Sequence, residues 1–209
     1  MIFTVIPVKP FNESKTRLSS VLTAQQRVRL SQSLLTRTIL TATQLSQVVV
    51  VSRSAAVRRV AKRLGAYALV EGRPDLNAAI NQGIVWGRAQ GGTGVLILPL
   101  DLPFLSTAAL EALMALGLQG SPNIIIAPCR RRTGTNALFL SPPTLLSPQF
   151  GPDSFAKHQE LARRVGVMPH IYDAPELAFD LDTPADWRVL AASPASTSFW
   201  ERTPEGLKG

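Results

Sequence analysis

Three cations and three carboxylates stand where a chain could use them on phosphate. Lys9, Lys15 and Arg17 fall in Val8-Lys9-Pro10-Phe11-Asn12-Glu13-Ser14-Lys15-Thr16-Arg17, directly after the apolar run Ile2–Val8. In an open α/β sheet, the loop between the first strand and first helix is a usual phosphate-binding position. Ser14-Lys15-Thr16 shares residue types with the end of a Walker A loop, yet no glycine occurs from Met1 to Ala24. Such a loop cannot readily wrap backbone N–H groups around a triphosphate, so side-chain cations would have to grip it. The alternative is a solvated basic loop.

Asp101 follows Val95–Leu100 at once and so sits at the C-terminal end of an apolar strand. Asp180 and Asp182 flank Leu181, and in extended backbone the period of two points both the same way. Carboxylate oxygens are hard ligands suited to Mg²⁺ bridging phosphates. Cys129, His158 and His170 lack the spacing of a zinc site. A second reading of Asp182 is a cap or turn residue, because Pro184 opens a helix just after it. Asp186 reads as a first-turn acid facing the helix dipole, not a metal ligand.

Gly134-Thr135-Asn136 precedes the strand Ala137–Leu140, and Phe150-Gly151-Pro152-Asp153-Ser154 precedes a helix beginning at Phe155. A glycine and a serine at a helix start can offer N–H groups and a hydroxyl to a phosphate or carboxylate. Plain N-capping by Asp153 or Ser154 is the competing reading. His158, one turn on, is expected at the surface.

These residues need a frame. The chain has 209 residues, 45% apolar and 17% charged, which suits one folded domain and argues against disorder. Apolar runs at Ile2–Val8, Val48–Val51, Tyr67–Val70, Val95–Leu100, Asn123–Ala127, Ala137–Leu140 and Met168–Tyr172 read as strands. Helical periodicity falls between them: after the capping box Thr23-Ala24-Gln25-Gln26, over Val57–Leu64, Leu76–Trp86, Thr107–Leu116 and Phe155–Val165, and after Pro184. In the first helix Val28, Leu35, Ile39 and Ala42 share a face. The pattern predicts an α/β fold: a single domain, a mostly parallel sheet with helices on both faces, and a site at the C-terminal strand ends. A tail over 193–209, rich in Ser, Thr, Pro and Gly, is expected to be irregular.

The formal charge is +8, and it is uneven: residues 1–65 hold eleven Lys+Arg and one acid, residues 66–209 eleven Lys+Arg and thirteen acids. A basic front half calls for an anionic partner, a nucleic acid or a phosphorylated small molecule. With 6% aromatics and no zinc-finger or RNP-like motif, nucleic acid is the lesser expectation. Arg58, Arg59, Lys62 and Arg63 read as a solvated helix face. Arg130-Arg131-Arg132 is either a surface loop or an anion contact. No apolar run reaches a membrane span, the opening MIFTVIPVKP lacks a basic n-region, and one cysteine excludes an intramolecular disulfide. The expectation is a soluble cytoplasmic domain.

In order along the chain, Ile6-Pro7-Val8-Lys9, Ser14-Lys15-Thr16-Arg17-Leu18, Asp75-Leu76-Asn77, Leu98-Pro99-Leu100-Asp101-Leu102-Pro103, Gly134-Thr135-Asn136-Ala137-Leu138, Phe150-Gly151-Pro152-Asp153-Ser154-Phe155 and Asp180-Leu181-Asp182-Thr183-Pro184 form a recognisable set. Together they resemble the guanylyltransferases of deazaflavin coenzyme F-420 biosynthesis, which activate 2-phospho-L-lactate or phosphoenolpyruvate with GTP. The resemblance covers about residues 2 to 190. It implies a GT-A-like nucleotidyltransferase domain over 1–192, with Mg²⁺ held by Asp101, Asp180 and Asp182. It further implies that Thr135, Gly151 and Ser154 contact the phospho-acid, that Lys9, Lys15 and Arg17 act on the triphosphate, and that Asn77 meets the nucleoside. A molybdopterin-type or sugar nucleotidyltransferase, or a glycosyltransferase reading Asp180-Leu181-Asp182 as a DxD motif, remains as the enzyme alternative. A basic nucleic-acid-binding module is the non-enzyme one. The choice of acceptor, and monomer versus homodimer, stay open.

Overall fold

The computed structural model describes residues 1–196, so most of the expected tail, 197–209, lies outside the described residues. Seven strands form one sheet: β1 (Ile2–Pro7), β2 (Gln47–Val51), β3 (Tyr67–Leu69), β4 (Gly94–Ile97), β5 (Asn123–Pro128), β6 (Thr135–Ser141) and β7 (His170–Ile171). Their spatial order is β3-β2-β1-β4-β6-β5-β7. All neighbours run parallel except β6, which is antiparallel to both β4 and β5. The mostly parallel α/β sheet expected from the apolar runs is therefore present. Among the described residues seven α-helices accompany it: α1 (Ala24–Ala42), α2 (Ala55–Arg63), α3 (Leu76–Ala89), α4 (Thr107–Gly117), α5 (Ser154–Arg164), α6 (Pro175–Ala178) and α7 (Pro184–Ala191). Among the described residues no helix is long and apolar enough to cross a membrane.

The sheet is buried on both faces, which is why its strands lack polar alternation. Ile6, Val50 and Leu96 pack on one side with Leu35 and Ile39 of α1, Val57 and Val60 of α2, and Leu110 and Leu113 of α4. Phe3, Val5, Val49 and Ile97 pack on the other with Ile80 and Ile84 of α3 and Phe155 and Ala162 of α5. Helix α3 lies unusually close to β1 because it presents glycine there. A Cβ on Gly87 would stand 2.1 Å from the Phe3 ring, and one on Gly83 2.5 Å from Val5.

A third, smaller core joins Leu18 and Leu22 of the first loop, Leu30 and Leu34 of α1, Phe179, Leu181, and Leu190 of α7. Helix α1 thus buries two sides, where periodicity predicts one face. The capping box is as predicted: Thr23 Oγ1 accepts the Gln26 N–H and the Gln26 side chain accepts that of Thr23. On α2, Arg59, Lys62 and Arg63 are exposed as predicted, but Arg58 is half-buried and donates to the Ser52 carbonyl at 2.8 Å. The chain reverses its winding between β1 and β4, and the loops leaving these two strands flank that switch point, where open α/β sheets bind ligands.

Candidate active site

The loop after β1 carries the expected cations around two short 3₁₀ turns, Phe11–Glu13 and Thr16–Leu18: Lys9 before the first, Lys15 between them and Arg17 on the second. Between them Lys15 adopts a left-handed backbone, φ 55° and ψ 32°, which costs an L-residue energy and marks a position held by its surroundings. Leu18, fully buried, pins the second turn to the small core. From there the Lys15 side chain, only 8% exposed, runs inward. Its ammonium donates to the Leu181 carbonyl at 2.7 Å, Asp182 Oδ1 at 3.3 Å and Asp101 Oδ2 at 3.4 Å.

Leu181 explains how two distant carboxylates meet. Its side chain is fully buried in the small core and its N–H donates to the Asp101 carbonyl at 2.9 Å. Burying such a leucine contributes roughly 1.5–3 kcal/mol, and here it also fastens the Asp180–Asp182 segment beside the end of β4. Thr183 caps α7 in a reciprocal box with Asp186. Asp182 is thereby free of the capping role, and its carboxylate faces Lys15 and, at 4.0 Å, Arg17.

Lys9, Lys15, Arg17, Asp101 and Asp182 all line one cavity of about 460 Å³, floored by Ile80 and Ile97 and bounded by Glu13, Leu76 and Phe150. That volume suits a nucleotide-sized ligand. Burial raises the Asp180 carboxyl above its ordinary value; the neighbouring Asp101, Asp182 and Asp186 raise it further, against a lowering hydrogen bond from its own backbone.

The expected Mg²⁺ can be tested against this donor set. Asp101 and Asp182 already share one cation, the Lys15 ammonium, and Asp180 lies within their field. Among the described residues no three His, Cys, Asp or Glu side chains converge as a ready-made cage. Mg²⁺ commonly binds through one or two carboxylates with substrate phosphate oxygens and water, so the set fits that ion.

The remaining expected residues do not line this cavity: Asp180 stays behind it in the field of Asp101, Asp182 and Asp186, and Asn77, Thr135, Gly151 and Ser154 form an adjoining cluster around α5. Antiparallel β6 places its first residue, Thr135, at the sheet edge where β1 and β4 end. The preceding turn is fastened by the Gly134 N–H, which donates to Cys129 Sγ at 3.1 Å. The Thr135 N–H donates to Ser154 Oγ at 2.9 Å, so Ser154 is no helix cap, and Asp153 makes no side-chain cap bond either. Gly151 is exposed with φ 125°, a conformation that favours glycine. Asn77 pairs with Phe150 in both directions: its Nδ2 donates to the Phe150 carbonyl at 3.0 Å and its Oδ1 accepts the Phe150 N–H at 2.8 Å. It thus ties α3 to the Gly151 loop, and Phe150 connects the cluster to the cavity.

One expectation changes. His158 is not a surface residue but fully buried, between Thr135 and Gln149. The spacing of Ser154, Phe155, His158 and Ala162, all buried on α5, is the helical signal that places it inside. Arg130, Arg131 and Arg132 lie exposed in the β5–β6 turn, in line with the surface-loop alternative, and two of them make ion pairs: Arg130 with Asp186 at 2.6 Å, over the Phe179 ring, and Arg132 with Asp173 at 3.0 Å. A cluster that sequence reasoning missed joins Glu13 and Glu71 through Arg53, bracing the cation loop against the end of β3.

A family described as guanylyl transferase CofC like matches residues 2–193. A phosphoenolpyruvate guanylyltransferase of Rubrobacter xylanophilus is 40% identical over 194 residues, covering 92% of this chain and 94% of that protein. A 2-phospho-L-lactate guanylyltransferase of Methanocaldococcus infernus is 33% identical, covering 88% and 81%. In fold, the chain resembles the crystal structure of 4-diphosphocytidyl-2C-methyl-D-erythritol synthase, with a TM-score of 0.61 at 14% identity over 90% of this chain and 95% of that one. A nucleotidyltransferase-like sheet, a cation loop facing strand-end carboxylates and a family match over nearly the whole chain agree: this protein belongs to the CofC-like guanylyl transferases.

Proposed function

We propose that the protein transfers GMP from GTP to the phosphate of a small phospho-acid, phosphoenolpyruvate or 2-phospho-L-lactate, with release of pyrophosphate, as a step of coenzyme F-420 biosynthesis. The observation that carries this reading is the Lys15 ammonium held between Asp101 and Asp182 in the cavity at the switch point. One oxygen of the acceptor phosphate attacks the α-phosphorus of GTP in line; the new P–O bond forms as the α–β bridge breaks and pyrophosphate carries away the electron pair. A phosphate monoester is nucleophilic near neutral pH, so no general base is needed. Catalysis is then positioning and charge neutralisation.

Lys9, Lys15 and Arg17 supply positive charge to the β- and γ-phosphates, Lys15 from a fixed and nearly buried position. Asp101 and Asp182, with Asp180 beside them, would hold Mg²⁺. When bound, that ion neutralises charge on the α-phosphate as a Lewis acid. Thr135, Gly151 and Ser154 form the acceptor subsite, and Phe150 separates it from the nucleotide cavity. Asn77 shapes the nucleoside side through its hold on Phe150.

The experiment is a matrix of pyrophosphate release, with each of four nucleoside triphosphates against phosphoenolpyruvate, 2-phospho-L-lactate and 3-phosphoglycerate in Mg²⁺. Turnover with GTP and one or both of the first two acids supports the proposal. Turnover only with 3-phosphoglycerate, only with another nucleotide, or with none of the pairs overturns it.

A further inference from the structure

His158 is the one imidazole near the candidate site, and its hydrogen bonds define its tautomer. The Gln149 N–H donates to Nε2 at 3.0 Å. A backbone N–H can only donate, so Nε2 carries the lone pair and the single ring proton of the neutral form is on Nδ1. Nδ1 lies 2.8 Å from Thr135 Oγ1, and must be the donor there. Were the hydroxyl to donate, both ring nitrogens would be acceptors and the ring an imidazolate. Thr135 Oγ1 is therefore an acceptor toward His158, and its own proton is directed elsewhere.

Ser154 is placed the same way. Its Oγ accepts the Thr135 N–H at 2.9 Å. Among the described residues neither hydroxyl proton has a protein acceptor, although Thr135 and Ser154 are 5% and 2% exposed. Two nearly buried hydroxyls one residue-contact apart, both with the acceptor side engaged, present two O–H donors. An ionised carboxylate or phosphate offers only acceptors, so it is the matching ligand.

We propose that His158 is the positioning residue of the acceptor subsite: through Nδ1 it turns the Thr135 hydroxyl outward as a donor, and through Nε2 it holds the Gln149–Gly151 loop, so that Thr135 and Ser154 together receive an anionic oxygen of the phospho-acid. This rests on the assignment of Thr135, Gly151 and Ser154 to the acceptor under Proposed function. Burial, with repulsion from Lys157, lowers the imidazole to about 4, which keeps the neutral tautomer in place at neutral pH. The Phe150 ring packs against the imidazole in an edge contact, with ring centroids 5.0 Å apart, which adds an apolar contact between the loop and the ring.

The test uses the full chain and steady-state pyrophosphate release with GTP and phosphoenolpyruvate. His158→Phe keeps an aromatic ring, somewhat larger than imidazole, and removes both bonds; losing one donor to an anion is expected to raise the acceptor KM about tenfold, with the GTP KM within about twofold. His158→Asn carries an amide near the Nδ1 position and is expected to recover most of that loss, whereas His158→Gln, which keeps only a group near Nε2, is not. If His158 acts through Thr135, adding His158→Phe to Thr135→Val changes the acceptor KM by less than about twofold beyond Thr135→Val alone. An unchanged acceptor KM in His158→Phe, or effects that multiply in the double variant, overturn the proposal. Should His158→Phe fail to fold, the contrast between His158→Asn and His158→Gln decides: equal acceptor KM values overturn it. Thr135→Val and Ser154→Ala both without effect on the acceptor KM would instead overturn the underlying subsite assignment.

Discussion

Lys15 and Asp182, 167 positions apart in the chain, form an ion pair at 3.3 Å inside the candidate cavity. The pair is asymmetric: the lysine side chain is 8% exposed and the aspartate 37%. Lys15 is thus a fixed charge, and the aspartate can exchange its partner with solvent. Lys15→Met is expected to lower kcat about 10²–10³-fold, the scale of losing one preorganised charge stabiliser. The melting temperature should move little, because partly exposed pairs contribute modestly. Pyrophosphate release and thermal melting measure both; a loss below about fivefold in kcat would remove Lys15 from the machinery.

Asp101 is the second carboxylate on that ammonium, and its backbone carbonyl receives Leu181. Asp101→Asn preserves the backbone contact and volume while removing the charge. Turnover should fall beyond detection, with GTP binding reduced less. Removal of divalent ions with a chelator is expected to stop the wild-type reaction, and Mg²⁺ to restore it, in the wild type but not in Asp101→Asn. Wild-type-like turnover of the variant, or full activity in chelator, would overturn the metal-holding role.

The parts of this site that were legible from residues alone depend on local chain geometry. A run such as Val95–Leu100 is long and apolar enough to be a buried strand, so Asp101 had to emerge at a strand end. Lys9 and Lys15 followed from the first strand in the same way. What escaped was set by contacts between distant segments. The left-handed backbone of Lys15 has no local cause such as glycine; the buried Leu18 and the Leu181 carbonyl hold it. His158 looked like a surface group because a polar side chain on a helix is solvated unless partners are supplied, and its partners come from β6 and the Gln149 loop. The direction of β6 was equally hidden: an apolar run is the same read either way, and the short Cys129–Gly134 turn alone makes it antiparallel.

Asp186 gives a stability prediction. Burial raises its carboxyl, but hydrogen bonds from the Thr183 hydroxyl and N–H, the Asp182 N–H and Arg130 outweigh this and leave it below the ordinary value of 3.8. A carboxyl lowered by folding adds stability above its unfolded pKa, and that stability is lost as pH falls through the lower folded value. Asp186→Ala should therefore cost about 1–2 kcal/mol at neutral pH, the scale of a lost capping group. The deficit should shrink below about pH 3.8. Denaturant unfolding of both proteins across pH 2.5–7 (roughly the window that linkage defines) checks it; a deficit that grows toward acid would contradict the assignment.

Gly87 tests the packing that brings α3 to β1. A methyl group there would meet three atoms of the Phe3 ring at 2.1–2.3 Å, and Phe3 is 1% exposed with no room to retreat. Gly87→Ala is expected to destabilise by about 1–3 kcal/mol, although alanine favours helix, because overpacking outweighs the gain of about 1 kcal/mol in propensity. Phe3→Leu in the same chain should restore part of the loss. Thermal unfolding of the single and double variants measures it, and a stabilised Gly87→Ala would show that the α3 contact is loose.

His158 gives a pH dependence of the same sign as Asp186, in a higher window. Its imidazole falls from 6.5 in the unfolded chain to about 4 in the fold, chiefly by burial. Between those values the unfolded chain binds a proton that the folded chain does not, so stability rises with pH. The folded state forfeits on the order of 3 kcal/mol between neutral pH and pH 4, since each pH unit is worth about 1.4 kcal/mol. Below about 4 the protonated ring would turn Nε2 into a second donor facing the Gln149 N–H, and the loop bond would be lost. In His158→Phe this contribution is absent, so its stability should depend less on pH across about 4–6.5 and the variant should gain relative to wild type as pH falls through that range. Unfolding free energies at pH 4.5, 5.5 and 7 (points spanning roughly that titration) measure the slope; parallel profiles for the two proteins would mean that the ring is not held neutral by the fold.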